Sequence, residues 1–336
     1  MSEDGLYVPT AEVIARAFEL GTPAGELVLV RRGDTDTWRF DGVDGRYFVK
    51  GYWMSTGGQF VAGELRDQLT VAMRYEELAL AAGVDMPRPV APVEPSLGWV
   101  AELEGRYFRV NRWIEHRALR DGEDIAEWLG RTMAMVHRLE PTGEVGLPEW
   151  WRGSIHSGST WRQWVADGNR LGRSWAAPAR DRLPLILAIT ARIEELCATA
   201  PDPVRTHGDF KTHNLLMTDE GPILVDWDSV RVDSAALEAG RVAYLFGAGD
   251  PEPISRILTA YTSAGGDLTW SAENLFLSVL RNDLQTLTER LRVSLGETPP
   301  ARWMPDRRTI EQQVTDCLQA LPAKTTQLDH LATTLI

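Results

Sequence analysis

The stretch Arg205-Thr206-His207-Gly208-Asp209-Phe210-Lys211-Thr212-His213-Asn214-Leu215-Leu216, answered by Ile223-Leu224-Val225-Asp226-Trp227-Asp228, decides how this chain is read. Between them Thr218-Asp219-Glu220-Gly221 supplies turn chemistry, and the apolar residues on either side predict a β-hairpin. Asn214 and Asp226 then stand on the two sides of the hairpin base, and Asp209 precedes Asn214 by five positions. An amide oxygen and a carboxylate at that place suit Mg²⁺, a hard cation that takes a few protein oxygens and completes its shell with phosphates and water. Asp209 is left as a separate carboxylate that can orient a hydroxyl and accept its proton. Phosphoryl transfer from ATP asks for this combination, because its loose transition state responds mainly to positioning and charge neutralisation.

Upstream of this stretch the pattern changes character. Thr10 to Leu20 has apolar residues at helical spacing, with Thr10 as N-cap and Gly21 as stop. Strand-like segments follow at Leu27 to Arg31, Thr37 to Phe40 and Arg46 to Tyr52, separated by Asp- and Gly-rich turns. One long helix is expected from Phe60 to Ala82, ended by Gly83, and Pro87, Pro89, Pro92 and Pro95 then force an extended path. Two more strands are expected at Trp99 to Glu102 and Tyr107 to Trp113. Helical periodicity dominates afterwards, over Asp124 to Leu139 and in two stretches of Trp161 to Thr199 that Pro178 and Pro184 are expected to break. The expected class is therefore α+β. A small antiparallel sheet with one long helix occupies about residues 1–110, and a larger, mostly helical part occupies 111–336.

The bulk numbers narrow the function classes. With 336 residues, 43% hydrophobic and 25% charged, the chain reads as an ordinary globular protein. A formal net charge of −13 argues against nucleic-acid binding, which rests on Lys and Arg neutralising phosphates. The same negative field favours cationic small molecules. No apolar run is long enough to span a bilayer, and the N-terminus lacks a signal-peptide pattern, so a cytoplasmic location is expected. Cys197 and Cys317 lie far apart, without ligands at metal spacing, and read as free thiols in a reducing compartment.

His-Gly-Asp-x-x-x-x-Asn over 207–214, followed by an apolar strand and Asp226-Trp227-Asp228, resembles the aminoglycoside phosphotransferase and choline kinase group, relatives of the protein kinases. Arg46-Tyr47-Phe48-Val49-Lys50 and the helix around Leu129 to Leu139 resemble further family segments, in the family's order and over most of the chain. The resemblance implies a bilobal, protein kinase-like fold with ATP in the cleft and Mg²⁺ as cofactor; GTP in place of ATP stays open. It implies that Asp209 is the catalytic base, Asn214 and Asp226 the metal ligands, and Lys50 the residue that grips the α- and β-phosphates. Lys211 matches a lysine that neutralises the transferring phosphoryl group. Thr35 and Thr37 fall in the segment Gly33 to Thr37, where the family covers the phosphates. Backbone groups of Arg112, Trp113 and Ile114 match the segment that binds adenine.

Two departures stand out. The family pairs its lysine with a glutamate on the long helix, but the matching slot near Ala72 or Met73 is not acidic; of Glu64 and Glu76, Glu76 is taken as the partner. Protein kinases carry Arg where this chain has Gly208, and Asp-Phe-Gly where it has Asp226-Trp227-Asp228, so a small substrate is expected rather than a protein. Other residues read as structural. His207 braces the loop, Asp228 orients it, Asp219 and Glu220 are turn residues, and Glu238 caps a helix or tethers the catalytic loop. Trp150, Trp151, Trp161, Trp164 and Trp175 form helical core, with an aromatic wall for a flat or cationic ligand as the other reading. Asp250, Glu252, Asp267, Glu273, Asp283 and Glu289 fall where the family shapes its acceptor pocket.

The sequence thus points to a small-molecule kinase whose partner is a hydroxyl acceptor bearing amino groups, in the manner of antibiotic-resistance kinases. A metabolic kinase acting on choline, an amino alcohol, a sugar or a nucleoside-like compound is one alternative. A catalytically silent nucleotide-binding regulator is the other. Oligomeric state stays open.

Overall fold

A computed structural model describes residues 8–32, 35–52, 62–120, 122–301 and 304–335. In chain order its elements are α1 (Ala11–Phe18), β1 (Val28–Arg31), β2 (Thr35–Gly42), β3 (Gly45–Tyr52), α2 (Ala62–Ala81), β4 (Pro89–Val90), β5 (Val100–Leu103), β6 (Arg106–Arg112) and β7 (Arg117–Ala118). There follow α3 (Ala126–His137), α4 (Gly158–Arg170), α5 (Ala176–Thr199), β8 (Pro203–Thr206), β9 (Leu215–Thr218), β10 (Gly221–Leu224) and β11 (Arg231–Ser234). The chain ends in α6 (Ala235–Phe246), α7 (Pro251–Ser263), α8 (Leu277–Leu295) and α9 (Arg307–Leu335). These elements group into two compact units. One is Met1–Asp124 with His207–Val230; the other is Ile125–Thr206 with Arg231–Ile336.

The first unit is built on an antiparallel sheet in the order β1-β2-β3-β6-β4, with β5 also paired to β6. Glu104 (φ 50°) and Gly105 (φ 73°) join β5 to β6 through two consecutive left-handed residues, the geometry that tight hairpins favour. Strand alternation divides the sheet into two faces. Trp38, Phe40, Val49, Phe108 and Val110 are buried with Ile14, Ala15 and Phe18 of α1, which forms a core on one face. Thr10 caps α1 by accepting from the Val13 N–H, as its sequence position predicts. Thr37, Lys50 and Arg109 occupy register-matched positions on β2, β3 and β6, so they share the opposite face.

Helix α2 buries Leu65, Leu69, Ala72, Glu76 and Ala79, a stripe at helical spacing into which one acid is set. Its expected start at Phe60 lies outside the described residues. The β9–β10 hairpin forms at the expected place, Leu215 opposite Leu224 and Thr218 opposite Gly221, and β7 extends it to three strands.

The second unit is helical apart from the β8–β11 pair. Here the expected helix break moves. The interruption lies between α4 and α5, where Gly172 takes φ 67°, and both Pro178 and Pro184 sit inside α5. Pro178 falls in the first turn, whose N–H groups need no helical partner, and Pro184 is tolerated in the interior. Trp151, Trp161 and Trp175 are fully buried and Trp164 is 5% exposed, so the aromatic-rich stretch is mostly core. Gly130 of α3 lies where an added Cβ would meet the Ile257 carbonyl oxygen at 2.5 Å, which lets α3 approach α7 closely. Among the described residues no helix is long and apolar enough to cross a membrane.

Candidate active site

The loop that carries Asp209 begins at His207, which is wholly buried. Its Nδ1 accepts the Asp209 backbone N–H at 3.2 Å, which leaves Nε2 protonated to donate to the Val225 carbonyl at 3.0 Å. The ring packs against Phe210 and edge-on to Trp227, with centroids 5.3 and 4.7 Å away. One histidine thus fastens the loop to the segment that leads into Asp226. Gly208 has φ 79°, a left-handed conformation that glycine adopts without strain.

Asp209 is held from two sides. Asn214 Nδ2 donates to its Oδ2 at 2.9 Å and to its backbone carbonyl at 3.0 Å, and Lys211 Nζ lies 2.5 Å from its Oδ1. Asn214 is buried, and its own carbonyl accepts the Val225 N–H at 2.9 Å across the hairpin base. Asp226 follows directly, in a left-handed conformation (φ 69°, ψ 59°) that costs energy for a non-glycine residue. Its Oδ1 meets Lys50 Nζ at 2.5 Å, and its side chain is 40% exposed. The structure therefore brings together Asp209, Lys211 and Asn214, and it brings Lys50 of β3 to Asp226.

Lys50 also pairs with Asp228 Oδ2. Asp228 Oδ1 accepts from Tyr52 at 2.7 Å and from Arg109 Nη1 at 3.1 Å, and the Asp228 carbonyl accepts from Gln68 at 2.9 Å. Burial pulls the Lys50 ammonium down, but Asp228 and Asp226 outweigh it and hold Lys50 above its ordinary value. Burial likewise pushes Asp228 up, and Lys50 and Arg109 overcome that and keep it firmly ionised.

Glu76 does not meet Lys50. Its Oε1 accepts from Arg109 Nη2 at 2.6 Å, deep in the unit, and burial raises its proton affinity against the opposing pull of Arg109. The sequence reading missed Arg109, Tyr52 and Gln68. Arg109 carried no distinguishing signal, since the same strand also holds Arg106, Asn111 and Arg112.

Thr37 stands opposite Lys50 and Thr35 opposite Tyr52 in the β2–β3 ladder, while Gly33 and Asp34 lie outside the described residues. In the segment expected to bind adenine, the Arg112 N–H donates to the Arg88 carbonyl and the Trp113 N–H to the Arg46 carbonyl. The Ile114 carbonyl contacts His116 Nδ1 at 2.8 Å.

Asn214 and Asp226 fit a hard divalent cation. With its amide nitrogen bonded to Asp209, Asn214 has its amide oxygen to offer, and Asp226 has one carboxylate oxygen not used by Lys50. Among the described residues no three His, Cys, Asp or Glu side chains cluster to hold a metal, so nucleotide oxygens and water would supply most of the shell, as Mg²⁺ prefers.

In the second unit Glu238 is fully buried and accepts from His137 Nε2 at 3.0 Å, Arg241 at 2.7 Å and the Thr206 hydroxyl. It therefore anchors the residue just before His207. Of the acids expected around an acceptor, Asp250 caps α7, Asp267 caps the Thr269 N–H and Asp283 pairs with Lys324 at 2.6 Å.

Comparison with known proteins follows this geometry. No curated protein matches in sequence. Among solved structures, a spectinomycin phosphotransferase in complex with ADP and spectinomycin superposes with TM-score 0.60 at 13% identity, over 96% of this chain and 100% of that one. An amicoumacin kinase in complex with AMP-PNP, Ca²⁺ and Ami gives TM-score 0.63 at 10% identity, over 94% of this chain and 92% of that one. A choline/ethanolamine kinase family protein from Mesorhizobium loti gives 0.56 at 16%, over 96% and 97%. At these identities the likeness establishes the fold, which is kinase-like, with a sheet-bearing N-terminal region and a helical C-terminal region. Residues 11–273 match the phosphotransferase enzyme family itself, and this chain belongs to that family of enzymes, which phosphorylate the hydroxyl groups of small molecules.

Proposed function

We propose that the protein transfers the γ-phosphoryl group of ATP, with Mg²⁺, to a hydroxyl of an amino-bearing natural product. The observation that carries this reading is the Asp209 carboxylate, fixed between Asn214 Nδ2 and Lys211 Nζ beside the Asn214–Asp226 hairpin base. Asp209 orients the acceptor hydroxyl and takes its proton. Lys211 neutralises charge on the group in transfer, and Lys50 holds the α- and β-phosphates. Asn214 and Asp226 would hold the cation, which would supply positive charge beside the phosphates. Thr35 and Thr37 line the phosphate-covering strand, and adenine contacts fall to the Trp113 carbonyl and the Ile114 N–H, since neighbouring backbone groups are already paired.

The net charge of −13 and the amino-bearing ligands named for the fold relatives support a cationic acceptor. Antibiotic modification in the cytoplasm, where ATP is abundant, is the favoured role. A metabolic amino-alcohol kinase is the second reading, supported by the fold likeness to the choline/ethanolamine kinase family. A silent regulator has no need of a held base and two metal-side oxygens together. The deciding experiment measures ADP release with Mg²⁺-ATP over a panel of aminocyclitols, amino-sugars, amino alcohols and uncharged sugars. Turnover confined to amino-bearing acceptors supports the proposal, and turnover of uncharged sugars alone overturns the acceptor class.

A further inference from the structure

We propose that Arg109 is a positioning residue for the phosphate-gripping lysine, the middle of an ionic relay Glu76–Arg109–Asp228–Lys50 that stands in place of a direct lysine–glutamate pair. The inference rests on the reading that Lys50 binds nucleotide phosphates.

The relay follows from register. Lys50 and Arg109 are cross-strand partners on β3 and β6, so both side chains leave the same face of the sheet. Arg109 is 4% exposed, and its guanidinium fork divides between two carboxylates. Nη2 donates to Glu76 Oε1 at 2.6 Å and Nη1 to Asp228 Oδ1 at 3.1 Å. Asp228 then turns its other oxygen to Lys50. Glu76 belongs to α2, and Gln68, two turns earlier on the same helix, donates to the Asp228 carbonyl at 2.9 Å. Helix α2 is therefore tied at two points to the residue that holds Lys50. The planar fork sends a separate N–H to each carboxylate in fixed directions, whereas a lysine ammonium is a point charge that fixes no such geometry.

Stability alone does not account for the arrangement. Buried ion pairs contribute little net stability compared with apolar side chains of similar volume. Here Glu76 Oε2 and Arg109 Nε have no hydrogen-bond partner among the described residues, so burial of both groups is only partly compensated. What the relay does achieve is a fixed orientation for Asp228, and hence for the Lys50 ammonium, set by the position of α2.

A double-mutant cycle tests this, with KM for ATP, kcat and the affinity for Mg²⁺-AMP-PNP measured on each full-length variant. Lys50→Met is expected to weaken nucleotide affinity; if it does not, the phosphate role of Lys50 fails, independently of the relay. Arg109→Met is expected to raise KM for ATP about 10- to 100-fold, the range usual for groups that orient a ligand-binding residue. Arg109→Lys keeps the charge but not the fork and is expected to recover little of that loss. In the Lys50→Met background, Arg109→Met is expected to add nothing, because its effect passes through Lys50. A second variant, Glu76→Gln, keeps the acceptor oxygen and the fold and is expected to show a milder KM effect. Additive losses in the cycle, full recovery by Arg109→Lys, or an unchanged KM in a folded Arg109→Met protein would overturn the relay.

Discussion

Asn214 Nδ2 holds the Asp209 carboxylate at 2.9 Å and the Asp209 backbone carbonyl at 3.0 Å with the same amide group. One side chain thereby holds both the Asp209 side chain and the loop that carries it. Its amide oxygen is the atom proposed to bind the cation. Replacing Asn214 with Ala should damage base orientation and cation binding together. A fall in kcat accompanied by a higher Mg²⁺ requirement is expected, and a loss in only one of the two would separate the roles assigned to this residue.

Asp226 meets Lys50 through one oxygen, and its other oxygen is the one proposed to bind the cation. In Asp226→Asn the Mg²⁺ concentration for half-maximal activity should rise by at least about tenfold. Titration of activity against Mg²⁺ at saturating ATP measures this, and an unchanged midpoint would remove Asp226 from the metal site.

His207 acts through structure. It makes hydrogen bonds through both ring nitrogens and packs between Phe210 and Trp227. His207→Ala should cost about 3 kcal/mol of stability, from lost packing and from polar partners left unpaired. Urea unfolding measures it. A variant as stable as the wild type, with activity abolished, would instead indicate a chemical role.

The second unit holds two buried carboxylates with opposite pH signatures. Burial and the neighbouring Glu238 raise Asp233 from 3.8 to about 6. Between those values the folded protein holds a proton that the unfolded chain releases, so stability falls as pH rises through that window. Burial pushes Glu238 up too, but His137, Arg241 and Thr206 prevail and bring it from 4.5 down to about 2. Its contribution is complete above 4.5 and is lost as pH falls towards 2. Asp233→Asn should therefore flatten the decline between about pH 4 and 6, while Glu238→Gln should destabilise at neutral pH and flatten the acid limb. Urea midpoints over a pH series check both, and a wild-type slope in Asp233→Asn would contradict the assignment.

Local chemistry made much of this legible. The Thr10 cap and the turn at Asp219-Glu220 are each encoded within a few residues, and each appears where expected. The relay was not legible, because Glu76, Arg109 and Asp228 converge from a helix, a strand and a loop far apart in sequence. Glu76 is the acid one turn beyond the family's slot and was expected to pair with Lys50; it pairs with Arg109 instead, and that partner depends on strand register, which no local pattern reports. The prolines misled for a different reason: Pro178 occupies a first-turn position where it does not break α5. Tryptophan count alone could not separate core from ligand wall, and burial assigns Trp151, Trp161 and Trp175 to the core.

The most direct measurement is single-turnover transfer with Mg²⁺-ATP and an amino-bearing acceptor, followed by ³¹P NMR in wild type and Asp209→Asn. A phosphomonoester signal matched by ADP is predicted for the wild type, slowed about 10²- to 10⁴-fold in the variant while nucleotide still binds. Equal rates in the two proteins, or ADP formed by the wild type without any phosphorylated acceptor, would contradict it.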